Sequence, residues 1–426
     1  MDSFEYHGYW RLPNNTKTID GTLKFSATQG GTLELLGSFE EFGGISNASA
    51  AKHDIIHGHT PDGKYITLYK CINIHTSFSQ PGYFTTKFYV NVIFIGIFFN
   101  SQEEITFKNI SVNFLNLDEW LGLNFLNYKL SKSKKEHILK YKIPSIKKFT
   151  IDNMFLTFDF NLNVSTTQTR GIMQQTPYLK LEHDSEKHFD EFFKRIYELQ
   201  NFLTFSMNAA TYPIKVLGHN KKNEITVQNQ TVHPEIGIFF RTHTSEVKKF
   251  NPYLILFNYD EISRSFKTII RSWFEYAQKY QSIIDLYFGT FYQAEMYNVH
   301  RFTSLINSLE GYHRLRYGDK TEMPIRTYGK MLKNILKKVS VESYKKWLTE
   351  KLTYANELTL RKRVKKTLNR IDFISMSAKD KQELIEKIMN TRNYYTHYDD
   401  TLKAKAAKGI ELHSLNNKLN IMLQLC

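Results

Sequence analysis

Thr391-Arg392-Asn393-Tyr394-Tyr395-Thr396-His397 closes a run with helical periodicity. At about 100° per residue, Leu384, Ile388, Arg392 and Tyr395 share one stripe, so Arg392 prolongs an apolar face. Asn393 and His397, four apart, sit above one another on an adjacent face. A guanidinium offers phosphate a fixed set of donors and keeps its proton. An imidazole gives and takes a proton near neutral pH. Arg392 and His397 lie about 140° apart on an ideal helix. Their meeting requires the Arg side chain to swing, the helix end to distort, or a second copy of the chain to face the first. Taken alone, Arg-x4-His is a common pattern. A helix-end His⁺ or an ion-paired Arg explains it more simply, so the neighbourhood has to decide.

That neighbourhood is helical. From Tyr259 onward Ile262, Phe266, Ile269, Ile270, Trp273, Phe274 and Ala277 repeat at helical spacing, and later helices are expected at about 294–317, 326–339, 342–369, 378–398 and 411–425. Ser377 and Asp380 resemble a capping box with Asp in place of Glu. Between Arg326 and Arg370 stand fourteen Lys or Arg against three Glu, which holds most of the chain's net charge of +15. Such an excess draws polyanions, nucleic acid first, although a solvated helical face has the same composition. Tyr344 and Trp347 stand among Lys345, Lys346 and Lys351, an interleaving shared by RNA-binding surfaces and by basic amphipathic helices.

The first 180 residues read differently. Gly21–Phe25, Gly31–Leu36, Lys64–Tyr69 after Asp62-Gly63, Glu104–Phe114 and Phe149–Phe160 are short alternating runs of the kind found in antiparallel sandwiches and barrels. The most apolar window, Tyr89–Phe99, is too short to cross a bilayer and reads as a buried strand. An amphipathic helix capped by Asp184 or Ser185 presents Phe189, Phe192, Phe193, Ile196, Leu199 and Leu203 on one face. Short strands are expected around Glu224–Val227 and Ile236–Phe240. The expected fold is therefore α+β and multidomain: an antiparallel β-rich domain, sandwich- or barrel-like with one helix, over residues 1–250; a helical connector over 251–293; and an all-α bundle over 294–426.

Composition narrows the chemistry. A chain of 426 residues with 41% hydrophobic and 23% charged residues fits a soluble globular protein. Cys71 and Cys426, far apart, build neither a disulfide framework nor a zinc knuckle and fit a reducing cytoplasm. No secretory signal is visible at Met1. His53, His57 and His59 could ligate a metal, but read as incidental histidines in a loop. Phosphate-binding, dinucleotide, serine-hydrolase and zinc-protease signatures are absent, so no cofactor and no metal are expected.

Residues 391–399 resemble the Arg-x4–6-His signature of HEPN-domain ribonucleases, including the polar residue after Arg. Leu305–Arg314 looks like the first HEPN helix, with acidic Glu310 and basic Arg314 four positions on. Gly8–Pro13, Gly21–Phe25, Leu33–Phe39, Val112–Leu121 and Leu199–Leu203 are similar to an ApeA N-terminal domain. One departure is the final helix, which stops near Cys426 where related bundles usually continue.

The resemblance implies an antiphage protein of the abortive-infection type. A sensing domain, bound by a phage protein, would control a metal-independent endoribonuclease that cuts host RNA, with tRNA as the guess. Arg392 and His397 would be the catalytic pair, supported by Asn393; Glu310, Arg314 and Tyr395 are further candidates. Lys337, Lys338, Lys345, Lys346, Arg361, Lys362, Arg363, Lys365 and Lys366 are the candidates for gripping RNA. A homodimer or higher homo-oligomer in the cytoplasm would complete the site, with no membrane partner. The alternative is a bundle that binds RNA or dimerises without catalysis, attached to a receptor for a phage protein. There, Asp399 and Asp400 would merely offset Arg392.

Overall fold

Alternating side chains make most of the first 240 residues extended. The strands are β1 (Phe4–Arg11), β2 (Ile19–Ser26), β3 (Gly30–Leu35), β4 (Lys52–His59), β5 (Tyr65–Phe78), β6 (Phe84–Ile95), β7 (Thr106–Phe114), β8 (Leu126–Leu130), β9 (His137–Tyr141), β10 (Lys148–Ile151), β11 (Met154–Thr166), β12 (Gly171–His188), β13 (Pro213–His219), β14 (Ile225–Val227), β15 (Gln230–Val232) and β16 (Ile236–Phe240). Between and after them lie helices α1 (Leu117–Leu121), α2 (Phe189–Met207), α3 (Tyr259–Ile262) and α4 (Phe266–Lys279). The computed structural model describes residues 1–40, 52–78, 84–123, 125–130, 137–142, 144, 147–227, 230–243, 249–293, 295–318, 321–371 and 376–426, with backbone only at 225, 227, 230 and 231. Two compact units divide the chain, Met1–Glu275 and Tyr276–Cys426.

In the first unit the main sheet runs β10-β11-β12-β7-β13-β16-β6-β3-β2-β1-β4-β5, and β5 also pairs with β6. That extra pairing closes β6, β3, β2, β1, β4 and β5 into an antiparallel barrel, filled by Trp10, Leu23, Phe25, Leu33, Leu35, Ile66, Phe88 and Val90 among others. Strands β16, β13, β7, β12, β11 and β10 continue from β6 as an open sheet, and β8–β9 and β14–β15 are separate two-stranded sheets. Against the open sheet α2 buries Phe189, Phe192, Ile196, Leu199, Phe202 and Leu203, in one core with Phe94, Phe107, Ile110 and Leu181. Trp120 of α1 packs its ring against Phe158, Phe202, Tyr259 and Phe266 in the same core. Strand β6 serves both cores: Phe88, Val90 and Ile93 face the barrel, Val92 and Phe94 the second core. Burial on both faces explains why this strand reads as a continuous apolar run.

Three local expectations are corrected. Phe149–Phe160 is two strands, β10 and β11, joined at Asp152-Asn153, where Asp152 adopts φ 52°. Such a two-residue hairpin needs left-handed backbone, which Asp tolerates without a Gly to announce it. Helix α2 starts at Phe189 rather than after Asp184 or Ser185, because β12 runs on past a bulge between Glu182 and Lys187; His188 is the cap, accepting from the Asp190 amide. His53, His57 and His59 lie in strand β4, not in a loop.

In the second unit, helical periodicity becomes α5 (Gln281–Tyr292), α6 (Asn298–Tyr317), α7 (Ile325–Lys337), α8 (Glu342–Leu352), α9 (Leu360–Arg370), α10 (Ala378–His397) and α11 (Gly409–Gln424). Helix α6 is central, with α5, α9 and α11 against it, and α10 lies against α9. Tyr287 Oη donates to Asn420 Oδ1 at 2.9 Å, and Asn416 Nδ2 to the Asn298 carbonyl at 3.0 Å, which ties α11 to α5 and to the start of α6. The single helix expected over 342–369 is interrupted between α8 and α9. There Asn356 exchanges two hydrogen bonds with the Met323 backbone, and Thr359 caps α9 through the Lys362 amide. No Gly or Pro marks this break; a tertiary partner creates it.

Gly58 of β4 faces Trp10 of β1 at close range; an added Cβ would lie 2.1 Å from the indole. Gly58→Ala is therefore expected to lower stability by about 1–3 kcal/mol through overpacking, measured by urea denaturation.

Candidate active site

Helix α10 buries Leu384, Ile385, Ile388, Met389 and Thr391, so its last turn is held from behind while its tip faces outward. It starts at a Ser377 cap, whose hydroxyl accepts from the Asp380 amide at 3.1 Å. It stops because Tyr398 turns left-handed, at φ 52° and ψ 38°, and sends its amide back to the Tyr394 carbonyl. His397 is thus the last helical residue, and exposed, whereas Arg392 is half-buried.

Within one chain the two side chains meet. Arg392 Nη1 lies 3.3 Å from His397 Nε2 and donates to Asn393 Oδ1, also at 3.3 Å. The long Arg side chain spans the offset that helical geometry imposes, and no second copy is needed for this contact. A guanidinium can only donate, so Nε2 accepts, and a neutral ring then carries its proton on Nδ1. Among the described residues no carboxylate pairs with Arg392. Asp399 is occupied elsewhere: the Thr401 hydroxyl and amide donate to it and hold its carboxyl below the usual range. Among the described residues it forms no ion pair with Arg392.

The tip is braced by the segment that follows. The buried Thr391 hydroxyl accepts from the Ala407 amide at 2.9 Å, and Tyr395 Oη donates to the Ala407 carbonyl at 3.3 Å. Burial, then neighbouring Tyr394, pushes the Tyr395 phenol up from its ordinary pKa. Lys408 places its ammonium 5.3 Å from the Tyr394 ring centroid. Nothing in the local sequence marks Thr391 or Lys408, because their partners lie more than ten residues away. Tyr398 is an exposed ring beside His397.

The other candidates separate. Arg314 grips Glu310 through Nε and Nη2 at 3.1 and 2.9 Å, and reaches Glu357 at 3.4 Å. Among the described residues no hydrogen bond joins this set to Arg392 or His397. Lys337, Lys338, Lys346, Arg361, Lys365 and Lys366 are exposed. Lys362 pairs with Glu322 at 2.8 Å and Lys345 with Glu342 at 3.5 Å. Arg363 leaves the set of surface cations: it is 1% exposed, donates to the Leu358 carbonyl and lies 3.3 Å from His313 Nδ1 inside the bundle. Its i+3 and i+4 neighbours on α9 belong to both faces, and sequence cannot say which face a lone Arg takes. The β4 histidines do not converge: His57 bonds the Phe99 carbonyl, His53 approaches Glu40, and His59 lies against Tyr65.

The family described as ApeA N-terminal domain 1 matches residues 5–273, and Apea-like HEPN matches residues 303–426, a span that contains all of α10. The chain belongs to this ApeA-type family. No curated protein and no solved structure matches it. The pairing of an ApeA N-terminal domain with an ApeA-like HEPN domain supports an antiphage-defence HEPN protein, and HEPN domains are generally nucleases that bind RNA and dimerise. Among the described residues no helix is long and apolar enough to cross a membrane.

If the Thr391–Ala407 bond sets the ApeA-type tip, Thr391→Val leaves a buried amide without an acceptor. The expected loss is about 1–3 kcal/mol of stability by urea denaturation, with faster hydrogen exchange at Ala407.

Proposed function

We propose that this ApeA-type protein is an endoribonuclease that cuts host RNA by attack of the RNA's own 2′-hydroxyl. The observation that carries the reading is the contact of Arg392 Nη1 with His397 Nε2 at 3.3 Å, exposed at a helix tip and without a carboxylate partner among the described residues. A guanidinium so placed has further donors for a phosphate, and once Arg392 turns to that phosphate the Nε2 lone pair is released to take a proton.

In the reaction, one imidazole takes the 2′-hydroxyl proton as the 2′-oxygen bonds to phosphorus. The bond from phosphorus to the 5′-oxygen breaks, and that oxygen receives a proton. Arg392 holds the pentacoordinate phosphate, whose added charge a preorganised guanidinium favours. Base and acid act on opposite sides of an in-line displacement, so a single imidazole serves both poorly. A second chain supplies the other group, which makes the active form a homodimer or a larger even-numbered assembly. The Arg392 guanidinium repels a divalent cation, and the one imidazole at the tip falls short of the three or four ligands a bound metal takes, which favours chemistry without one there. The proposed products are a 2′,3′-cyclic phosphate and a 5′-hydroxyl.

Exposed Lys337, Lys338, Lys346, Arg361, Lys365 and Lys366 draw in the RNA, with Tyr344 and Trp347 offering ring faces at 64% and 58% exposure. Transfer RNA is the substrate we favour, since arrest of translation needs an abundant and essential target. The N-terminal domain is the sensor, with a phage protein as its trigger.

Purified full-length protein is expected to cleave tRNA in the presence of EDTA and to leave cyclic-phosphate ends. His397→Ala and Arg392→Ala should each lose about 10²–10⁴-fold in rate. Undiminished cleavage by His397→Ala would remove that side chain from the chemistry; RNA binding without cleavage, unchanged by Arg392→Ala, would favour the non-catalytic bundle. Arg361→Glu with Lys365→Glu should weaken RNA binding across sequences and reduce the slope of log affinity against log salt by about two.

A further inference from the structure

Outside the α10 tip, one cluster of side chains has the composition and spacing of a ligand set. His219 ends β13, Glu224 follows the turn after it, and His233 follows β15. Glu224 Oε1 lies 3.4 Å from His219 Nε2 and 3.3 Å from His233 Nδ1, and one ligand atom from each of the three falls within 4.8 Å of the others. The two rings stand edge to face with centroids 4.6 Å apart.

We propose that His219, Glu224 and His233 form a binding site for one divalent transition-metal ion, Zn²⁺ by preference. Bonds of about 2.0–2.1 Å at a tetrahedral angle put neighbouring ligand atoms about 3.3 Å apart, which is the spacing found on both sides of Glu224. Two imidazoles and one carboxylate suit zinc and its late first-row neighbours, whereas calcium and magnesium favour all-oxygen sets. Without an ion, one carboxylate would have to serve two imidazoles at contact distance. Both charged would repel each other, and one neutral would leave a weaker pair. A single cation satisfies all three groups at once. Three protein ligands leave a fourth position for water.

The backbone around the cluster is already fastened. Buried Asn220 donates to the Thr106 carbonyl at 2.6 Å and accepts from the Lys222 amide at 2.7 Å. Asn223 donates to the Pro234 carbonyl at 3.1 Å, and the Lys221 amide donates to Glu186 Oε1 at 2.8 Å. The turn bearing Glu224 is thereby held against both β7 and the segment next to His233. The ion would join the end of β13 to the two ends of the small β14–β15 hairpin, a two-stranded sheet of its own among the described residues. Its role is a staple in the N-terminal domain, independent of the chemistry assigned to Arg392 and His397. Sequence reading expects no metal because His-x4-Glu-x8-His matches no compact motif.

The full-length protein, stripped with a chelator, is titrated with Zn²⁺ and with Co²⁺, and metal content is measured after dialysis. One equivalent per chain is expected, with the visible absorption of tetrahedral Co²⁺. His219→Ala and His233→Ala should each weaken binding by at least about tenfold and lose that absorption. His413→Ala, an exposed histidine of α11, should retain both. Should an alanine variant fail to fold by circular dichroism, Glu224→Gln supplies the same readout with the shape conserved. Zinc should also slow hydrogen exchange over residues 219–233 in the wild type alone. Failure to bind zinc, or wild-type affinity retained by both histidine variants, overturns the site. Metal content reads this site and cyclic-phosphate ends read the α10 tip, so either proposal can fail without the other.

Discussion

Strand β6 is the constraint on which the N-terminal domain depends. It pairs with β5 along one edge, and with β3 and then β16 along the other. Its side chains supply two cores in opposite directions. Closing the barrel and launching the open sheet are therefore one event, and a substitution in β6 is felt by both. Nothing comparable is needed in the helical unit, where α6 collects its neighbours around a single stripe of Phe302, Leu305, Ile306 and Leu309.

The α10 tip works by a related economy of parts. Its apolar stripe ends in an Arg, so the residue that would have continued the core carries a charge to the rim. The left-handed Tyr398 ends the helix one residue after the imidazole. Exposure of His397 and partial burial of Arg392 follow from where the helix stops. The brace through Thr391 and Ala407 fixes that stop from the far side of a loop. Among the described residues this guanidinium has no carboxylate partner, which leaves it donors for the phosphate of the proposed reaction. The Glu310–Arg314–Glu357 set, by contrast, is satisfied by its own members.

Legibility varied with the range of the interactions. Apolar alternation and helical stripes report local burial, and they located most helices, and strands β2, β3, β7, β14 and β16, to within a few residues. The hairpin at Asp152-Asn153 and the break at Asn356 escaped because neither carries Gly or Pro. The β12–α2 boundary escaped because a bulged strand continued past a plausible cap. Arg363 was misread as a surface cation because charge composition is blind to which helix face packs.

By itself the sequence determined that a β-rich half precedes an α-helical half, that positive charge gathers before α10, and that Arg392, Asn393 and His397 share one helix end. Periodicity and composition are properties of neighbours along the chain, and these conclusions need nothing more. The tertiary structure alone decided that six strands close into a barrel, that the guanidinium reaches the imidazole within one chain, and that His219, Glu224 and His233 gather. Each of these depends on where a backbone stops or turns, set by partners distant in sequence, and a list of residues in order contains no such distances.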